Sequence, residues 1–255
     1  MAKPRSARSG PKIAFFDIET APSVGLYFDM YREGNIVSVK DDWYILSISY
    51  KWLGSKRPIT HCLSDYPSFK RNPADDRHLV KDIWRLFDEA DILIAHNGDR
   101  FDIRKCNARF VAHGMQPPSP YKSIDTLKIA RRHFKFDSNR LDALGGYLKI
   151  GRKRPTTGAH LWLRCMAGER AAFSEMRRYN ARDVELLEKV YLRLRGWASN
   201  HPDLSLYSIA RSNCCPSCGG FDVVMGGKRF SKTQIRQQFQ CKGCGSWHSI
   251  VVGKR

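Results

Sequence analysis

The hydrophobic positions of this chain change period along its length. Residues 12–18, KIAFFDI, are a run of β-branched and aromatic residues, which predicts a buried strand. Strands are predicted again at 43–53, 58–63 and 91–95. Helical spacing predicts helices over 75–89, 101–113, 124–134, 139–148 and 171–195. In the last of these, Met176, Val184, Leu187, Val190, Tyr191 and Leu194 recur close to a 3.6-residue period. Antiparallel strands followed by alternating strand and helix predict an α/β domain, a mixed sheet with helices on both faces. Residues 196–213 carry few helix signals and read as a linker packed along that domain. Beyond it, FDVVMGGKRF at 221–230 and QIRQQFQC at 234–241 read as strands of a small ribbon.

Polar residues at the ends of these elements carry the candidate chemistry. Asp17 and Glu19 are two apart on the first strand and so share a face. Two adjacent carboxylates repel unless a cation lies between them, and hard oxygen donors suit Mg²⁺ or Mn²⁺. A strand end with two solvated acids fits a lone D-x-E equally well. After the strand at 91–95, the turn HNGDRFD brings Asp102 to the start of a helix ending at Gly114. An acid there also fits the macrodipole, and Asp99 could cap the same helix. Phe101 is expected to anchor the turn in the core. On the 171–195 helix Tyr179 and Asp183 are four apart, on one face. A carboxylate there can hold a metal while the phenol one turn away orients a water. An incidental surface acid beside a half-buried tyrosine is the plainer alternative.

Composition changes the picture next. Lys and Arg number 44 against 25 acids, a net charge of +19, which draws the chain toward nucleic acid or another polyanion. Basic clusters fall at 1–12, 131–136 and 149–158, the second interleaved with Phe134 and Phe136. With Tyr147, these aromatics are candidates for stacking on bases. No apolar run reaches the ~20 residues of a membrane span, and no secretory signal is evident.

Five of the eight cysteines fall in the last 45 residues. Cys215–Cys218 and Cys241–Cys244 form two C-x-x-C knuckles, the spacing of a structural four-thiolate Zn²⁺ site. Spacing favours Cys215 over its neighbour Cys214, and His248 reads as a surface residue. Without a secretory signal a disulfide pair is disfavoured, and the scattered Cys62, Cys106 and Cys165 read as free thiols. Those 45 residues hold eight Lys or Arg and one acid, Asp222, so the module reads as a clamp for nucleic acid or a protein partner. So small a module depends on metal for much of its folding energy.

The three acidic segments together, D-x-E at 17–19, N-x-x-x-F-D from Asn97 to Asp102 and Y-x-x-x-D from Tyr179 to Asp183, resemble the motifs of the DEDD superfamily of 3′→5′ exonucleases. Arg178 stands where the histidine subclass has its histidine, so the resemblance is to the tyrosine subclass. It covers roughly residues 12–195, and residues 123–151 resemble the substrate-side region of the family. The chain is similar to the proofreading domain of family B DNA polymerases and to stand-alone phage exonucleases.

This resemblance implies an RNase H-like fold over residues 12–196, after a basic tail at 1–11. A linker at 197–212 and a zinc ribbon at 213–255 follow. It implies two Mg²⁺ or Mn²⁺ ions roughly 3.5–4 Å apart on Asp17, Glu19, Asp102 and Asp183, with Tyr179 orienting the attacking water. DNA is the expected polymer, released as nucleoside 5′-monophosphates. An RNase D-like exoribonuclease, an endonuclease and an inactive zinc-ribbon binding protein are the alternatives. The expected location is the cytoplasm, in a phage-infected bacterium if the phage likeness holds. A replication or recombination protein is a candidate partner of the ribbon.

Overall fold

The computed structural model describes residues 10–28, 36–207 and 214–254. Most of the basic tail and the last part of the linker lie outside these residues. The central strand, β1 (Ile13–Thr20), is buried from Ile13 to Ile18 except at Asp17, which is half-buried. It pairs antiparallel with β4 (Ile45–Trp52), and β4 pairs antiparallel with β5 (Ile59–Cys62). On its other side β1 runs parallel to β6 (Ile92–Ala95), which runs parallel to β7 (Lys122–Asp125). The order is β5-β4-β1-β6-β7, the expected RNase H-like mixed sheet. A small hairpin, β2 (Val24–Leu26) with β3 (Ser38–Asp41), leaves the end of β1 and was not evident from periodicity.

Helices cover both faces because β1 is apolar on both. Ala14, Phe16 and Ile18 face α1 (Arg77–Glu89) and α2 (Asp102–Ala112), with Phe16 edge-on to Phe87 and Phe87 edge-on to Phe110. Ile13 and Phe15 face α3 (Thr126–His133), α4 (Leu141–Tyr147) and the long helix α6 (Arg170–Leu194). The Phe15 ring meets Tyr191 of α6 edge-on at 5.4 Å. α5 (Ala159–Met166) precedes α6 and is also absent from the sequence expectation. The expected helix start at 124 is corrected by the structure. Ser123 to Asp125 extend the parallel sheet, and Asp125 then caps α3 by accepting the Leu127 N–H at 3.0 Å.

The linker folds back on this domain through two 3₁₀ turns, Arg195–Trp197 and Leu204–Tyr207. Leu204 is buried in the cluster around Phe15 and Tyr191. The C-terminal module is a three-stranded antiparallel sheet of order β10-β9-β8, with β8 (Val223–Phe230), β9 (Gln234–Cys241) and β10 (Trp247–Lys254). The third strand was not expected. Gly196 lies so close to the ribbon that a Cβ there would sit 2.8 Å from the Cys244 carbonyl oxygen.

One buried ion network ties the first helical layer to the sheet. Asp76 is fully buried at the start of α1 but caps no helix N–H. Its carboxylate accepts the Ile45 N–H at 2.9 Å, Arg109 Nε at 2.8 Å and Arg109 Nη2 at 2.5 Å, and meets His113 Nε2 at 2.7 Å. Removing one partner of a buried pair strands the other charge in a poor solvent. Asp76→Ala is therefore expected to cost about 3–5 kcal/mol, read as a lower urea midpoint at unchanged slope. A loss within 1 kcal/mol would show that Arg109 finds water instead.

Candidate active site

The odd-numbered face of β1 changes character along its length. Ile13 and Phe15 are buried against α6, and Asp17 and Glu19 continue the same stripe. α6 lies along that stripe, so the helix that packs on Phe15 also carries Asp183 to the two acids. One carboxylate oxygen each from Asp17, Glu19 and Asp183 lies within 4.8 Å of the others. Asp102, the first residue of α2, lies outside this trio. It is buried beside β1, where its Oδ1 accepts the Ile18 N–H at 3.1 Å.

The turn that delivers Asp102 is built from the backbone. Asn97 has a φ of 68°, in the left-handed region that asparagine tolerates, and its N–H donates to Asp125 Oδ1 at 2.8 Å. A Cβ at Gly98 would lie 2.4 Å from the Cβ of Ala95, so only glycine fits. Two expectations are corrected here. Phe101 is 39% exposed and does not anchor the turn, because its ring points outward toward the Lys105 ammonium. Asp99 caps no helix N–H and pairs with Lys128 at 2.5 Å.

The four acids share one electrostatic problem. Burial raises Asp17 well above the carboxylate range, and the charges of Asp102, Glu19 and Asp183 raise it further. Burial, then Asp183, lifts Glu19 to about 8, against the pull of Lys153 and Trp162. Asp102 is pushed up to about 7 by burial, opposed by the Ile18 N–H. Asp183 is also raised by burial, and Lys153 opposes it. Its Oδ1 is buried without a hydrogen-bond partner. Clustered oxygen donors, pKa values raised by burial and crowding, and an orphaned carboxylate oxygen together fit a divalent cation site.

Side chains that the sequence reading did not single out complete the cluster. Lys153 Nζ donates to Asp183 Oδ2 at 2.5 Å and to the Tyr179 hydroxyl at 3.2 Å. It lies in the 149–158 segment, which the sequence marks only as a basic cluster. Asn180, fully buried on α6, donates Nδ2 to Asp17 Oδ2 at 2.7 Å and accepts from Ser47 Oγ at 3.2 Å. It adjoins Tyr179 and precedes Asp183 by three, so helical spacing could have found it. Trp162 donates Nε1 to Glu19 Oε2 at 3.1 Å, and its ring meets Tyr179 edge-on at 5.8 Å. It lies on α5, a helix that periodicity missed. A cavity of about 610 Å³ adjoins the cluster, lined in part by Asn97, Arg131, Arg140 and Lys153.

Of the three aromatics proposed for base stacking, only Tyr147 stays open, at 69% exposure. Phe134 and Phe136 stack on each other at 5.1 Å and pack against the core cluster beneath, so they hold the fold. In the ribbon, the Sγ atoms of Cys215, Cys218, Cys241 and Cys244 all lie within 4.8 Å of one another. Cys214 is buried outside this cluster. Burial pushes the Cys244 thiol up, but hydrogen bonds with Ser246, Cys215 and Cys218 together bring it down to about 7, toward the thiolate that a metal takes. The four-sulfur cluster fits a zinc ribbon.

Comparison with known proteins gives this geometry a family. A sequence relative is the DNA polymerase III PolC-type of Ureaplasma parvum serovar 3, 42% identical over 87 residues, 34% of this chain and 6% of the polymerase. Among solved structures, the family B DNA polymerase from the hyperthermophilic archaeon Pyrobaculum calidifontis matches with a TM-score of 0.52 at 12% identity. That match covers 88% of this chain and 31% of the polymerase, and is a likeness of fold. The chain thus spans a small part of either polymerase. Residues 54–195, more than half of the chain, match the family model of the RNase H superfamily. That span contains Asp102, Tyr179 and Asp183, while Asp17 and Glu19 of β1 lie well before its start. By this match, and with the sheet order described above, the chain belongs to the RNase H superfamily.

Proposed function

We propose that this protein is a metal-dependent 3′→5′ exonuclease that removes nucleotides from DNA. The observation that carries the reading is the convergence of Asp17, Glu19 and Asp183, with Asp102 beside them, in a buried site where the Lys153 ammonium offsets only part of their charge. Family membership and the two DNA polymerases it resembles support a nuclease acting on DNA. The resemblance of the three acidic segments to the tyrosine subclass supports the 3′→5′ direction.

In this reading Asp17, Glu19, Asp102 and Asp183 hold two Mg²⁺ or Mn²⁺ ions. Such ions supply a water of lowered pKa and stabilise the oxygen that leaves the phosphate. The chain's own groups orient the reactants. Burial keeps the Tyr179 phenol protonated, so it is a hydrogen-bond donor at neutral pH and can hold the attacking water. Asn180 fixes the rotamer of Asp17, and Trp162 fixes that of Glu19. Lys153 keeps its positive charge, since the neighbouring acids more than offset its burial. It sits on Asp183 Oδ2 beside the orphaned Oδ1, where it would compete with a cation for the carboxylate and could reach a phosphate bound at the site. The 1–12, 131–136 and 149–158 basic segments draw the polymer toward an acidic cluster that would otherwise repel it.

Hydrolysis is tested on a 5′-labelled single strand with Mg²⁺, with chelator and Asp183→Ala controls. A ladder shrinking from the 3′ end is expected, slowed on the order of 10³-fold or more by Asp183→Ala, upwards of about 4 kcal/mol of barrier. Native gels should show Asp183→Ala still shifting the strand. Equal loss of binding and rate would count against a catalytic role for Asp183, and cleavage of circular single strands would make the enzyme an endonuclease.

Lys153→Ala separates phosphate positioning from metal binding. It should lower kcat by about 10- to 1000-fold, while the Mg²⁺ concentration for half-maximal rate falls, because an ammonium no longer competes for Asp183. A rise in that concentration would place Lys153 in support of the metal site.

The ribbon's four thiolates are proposed to hold one structural Zn²⁺, since four sulfurs close the coordination shell. Elemental analysis should find one zinc per chain. Cys214→Ser should retain it and Cys215→Ser should lose it. The reverse pattern would reassign the ligand.

A further inference from the structure

The register of the ribbon sheet sorts its side chains onto two unlike faces. Val223, Met225, Phe230, Ile235, Phe239 and Ile250 share one face with Lys228 and His248. That face turns toward the linker, where a cavity of about 540 Å³ includes Asp203 among its lining residues. The opposite face carries Trp247, Arg229, Arg236 and Lys254, with Gln238 and Gln240 between them. Among residues 214–254 there is one acid, Asp222, and it precedes β8.

Three features of the second face point to a polyanion with flat apolar groups. First, Arg229 and Arg236 are directly paired across β8 and β9. Like charges opposite one another destabilise a sheet. Among the described residues no carboxylate lies within ion-pair distance of either, or of Lys254. Second, Arg236 is held in place, with Nε on Ser249 Oγ at 2.9 Å, Nη2 on the Ser249 carbonyl at 3.3 Å and Nη1 on Gln234 at 3.1 Å. These bonds leave two of its five N–H donors for a ligand. Third, Trp247 lies over Gly226, where a Cβ would come within 2.8 Å of its ring, yet the residue is 58% exposed. The glycine gives the indole a fixed seat and leaves much of it open to a stacking partner.

We propose that this face, built on Trp247, Arg229, Arg236 and Lys254, is a platform for single-stranded nucleic acid. Bases stack on the indole and phosphates meet the three cations. The nuclease reading supplies the identity of the polymer. The ribbon meets the domain at Gly196, just past the end of α6. At about 1.5 Å per residue this is roughly 20 Å along the helix axis from Asp183. A ribbon docked at that distance would hold the strand upstream of the end being hydrolysed. The other face carries a single cation, Lys228, among apolar side chains that turn toward Asp203, and so matches phosphate less well.

The test uses the full chain carrying Asp183→Asn, so that the strand survives, and fluorescence anisotropy with a labelled twenty-residue oligo-dT. Trp247→Ala should weaken binding about five- to a hundredfold. Arg229→Ala with Lys254→Ala, two exposed side chains whose loss cannot unfold the sheet, should lower the salt slope by about 1.4, at ~0.7 per phosphate contact. Met225→Ser on the opposite face should bind within twofold of its parent. The proposal is overturned if Trp247→Ala and the double variant both bind as the parent does, or if Met225→Ser weakens binding as much as Trp247→Ala. It is also overturned if poly-glutamate displaces the strand as well as unlabelled oligo-dT does. Hydrolysis of a trinucleotide by the chain with Asp183 intact reports the carboxylate site alone. Its absence would sink the nuclease reading, while anisotropy still decides whether the platform binds.

Discussion

The packing of α6 along one face of β1 governs the rest of this structure. Phe15 against Tyr191 sets the helix on the strand. The same contact, continued along the strand, forces Asp17 and Glu19 against Asp183. Burying several carboxylates together costs several kcal/mol for each ion. No fold would keep them there for stability alone, because apolar residues of similar size would serve packing better. The surrounding groups offset only part of this cost. The Ile18 N–H stabilises Asp102, Asn180 stabilises Asp17 and Trp162 stabilises Glu19. Asp183 has Lys153 on one oxygen and no hydrogen-bond partner on the other.

In the proposed reading, Lys153 does two jobs that a rigid residue could not combine. In the structure described it is the one ammonium seated on the acidic cluster, and it bonds both the acid and the tyrosine of α6. It comes from the segment between α4 and α5 rather than from a regular element. The backbone there is fixed by Asp142, which accepts the Lys153 N–H at 2.8 Å. A long, flexible stem on an anchored backbone lets the ammonium swing while its loop stays put. An arginine, with its planar fork, would be harder to displace from a carboxylate.

Much of this was legible in the sequence because it rests on short-range periodicity. KIAFFDI announced a buried strand, and the two-residue spacing of Asp17 and Glu19 put them on one face. Tyr179 and Asp183 were legible for the same reason at helical spacing. What failed was long-range or weakly periodic. α5 spans only Ala159–Met166, too short for its pattern to stand out, so Trp162 went unseen. β7 is a four-residue edge strand whose outer residues are polar, so Ser123–Asp125 merged with the helix that follows. Phe101 beside an acid suggested an anchor. The turn is instead held by Gly98 and the Asn97 N–H, which frees the ring to face solvent.

The linker shows how a small module is kept in register with a large one. Tyr191 of α6 bonds His201 Nε2 through its hydroxyl at 2.6 Å, and Leu204 inserts into the core cluster beneath. The Leu204 N–H then donates to the Pro216 carbonyl of the first knuckle at 2.7 Å. Three steps of chain thus connect the helix that carries Asp183 to the sulfur cluster. At the far end of that path Gly196 meets the second knuckle, where a side chain would collide with the Cys244 carbonyl. The interface is therefore closed by backbone on both sides. Backbone contacts tolerate little rotation, so the ribbon's outer face keeps a fixed direction relative to the carboxylates. A strand that reached the ribbon's outer face from the acidic cluster would bind it without the ordering cost that a free tether imposes.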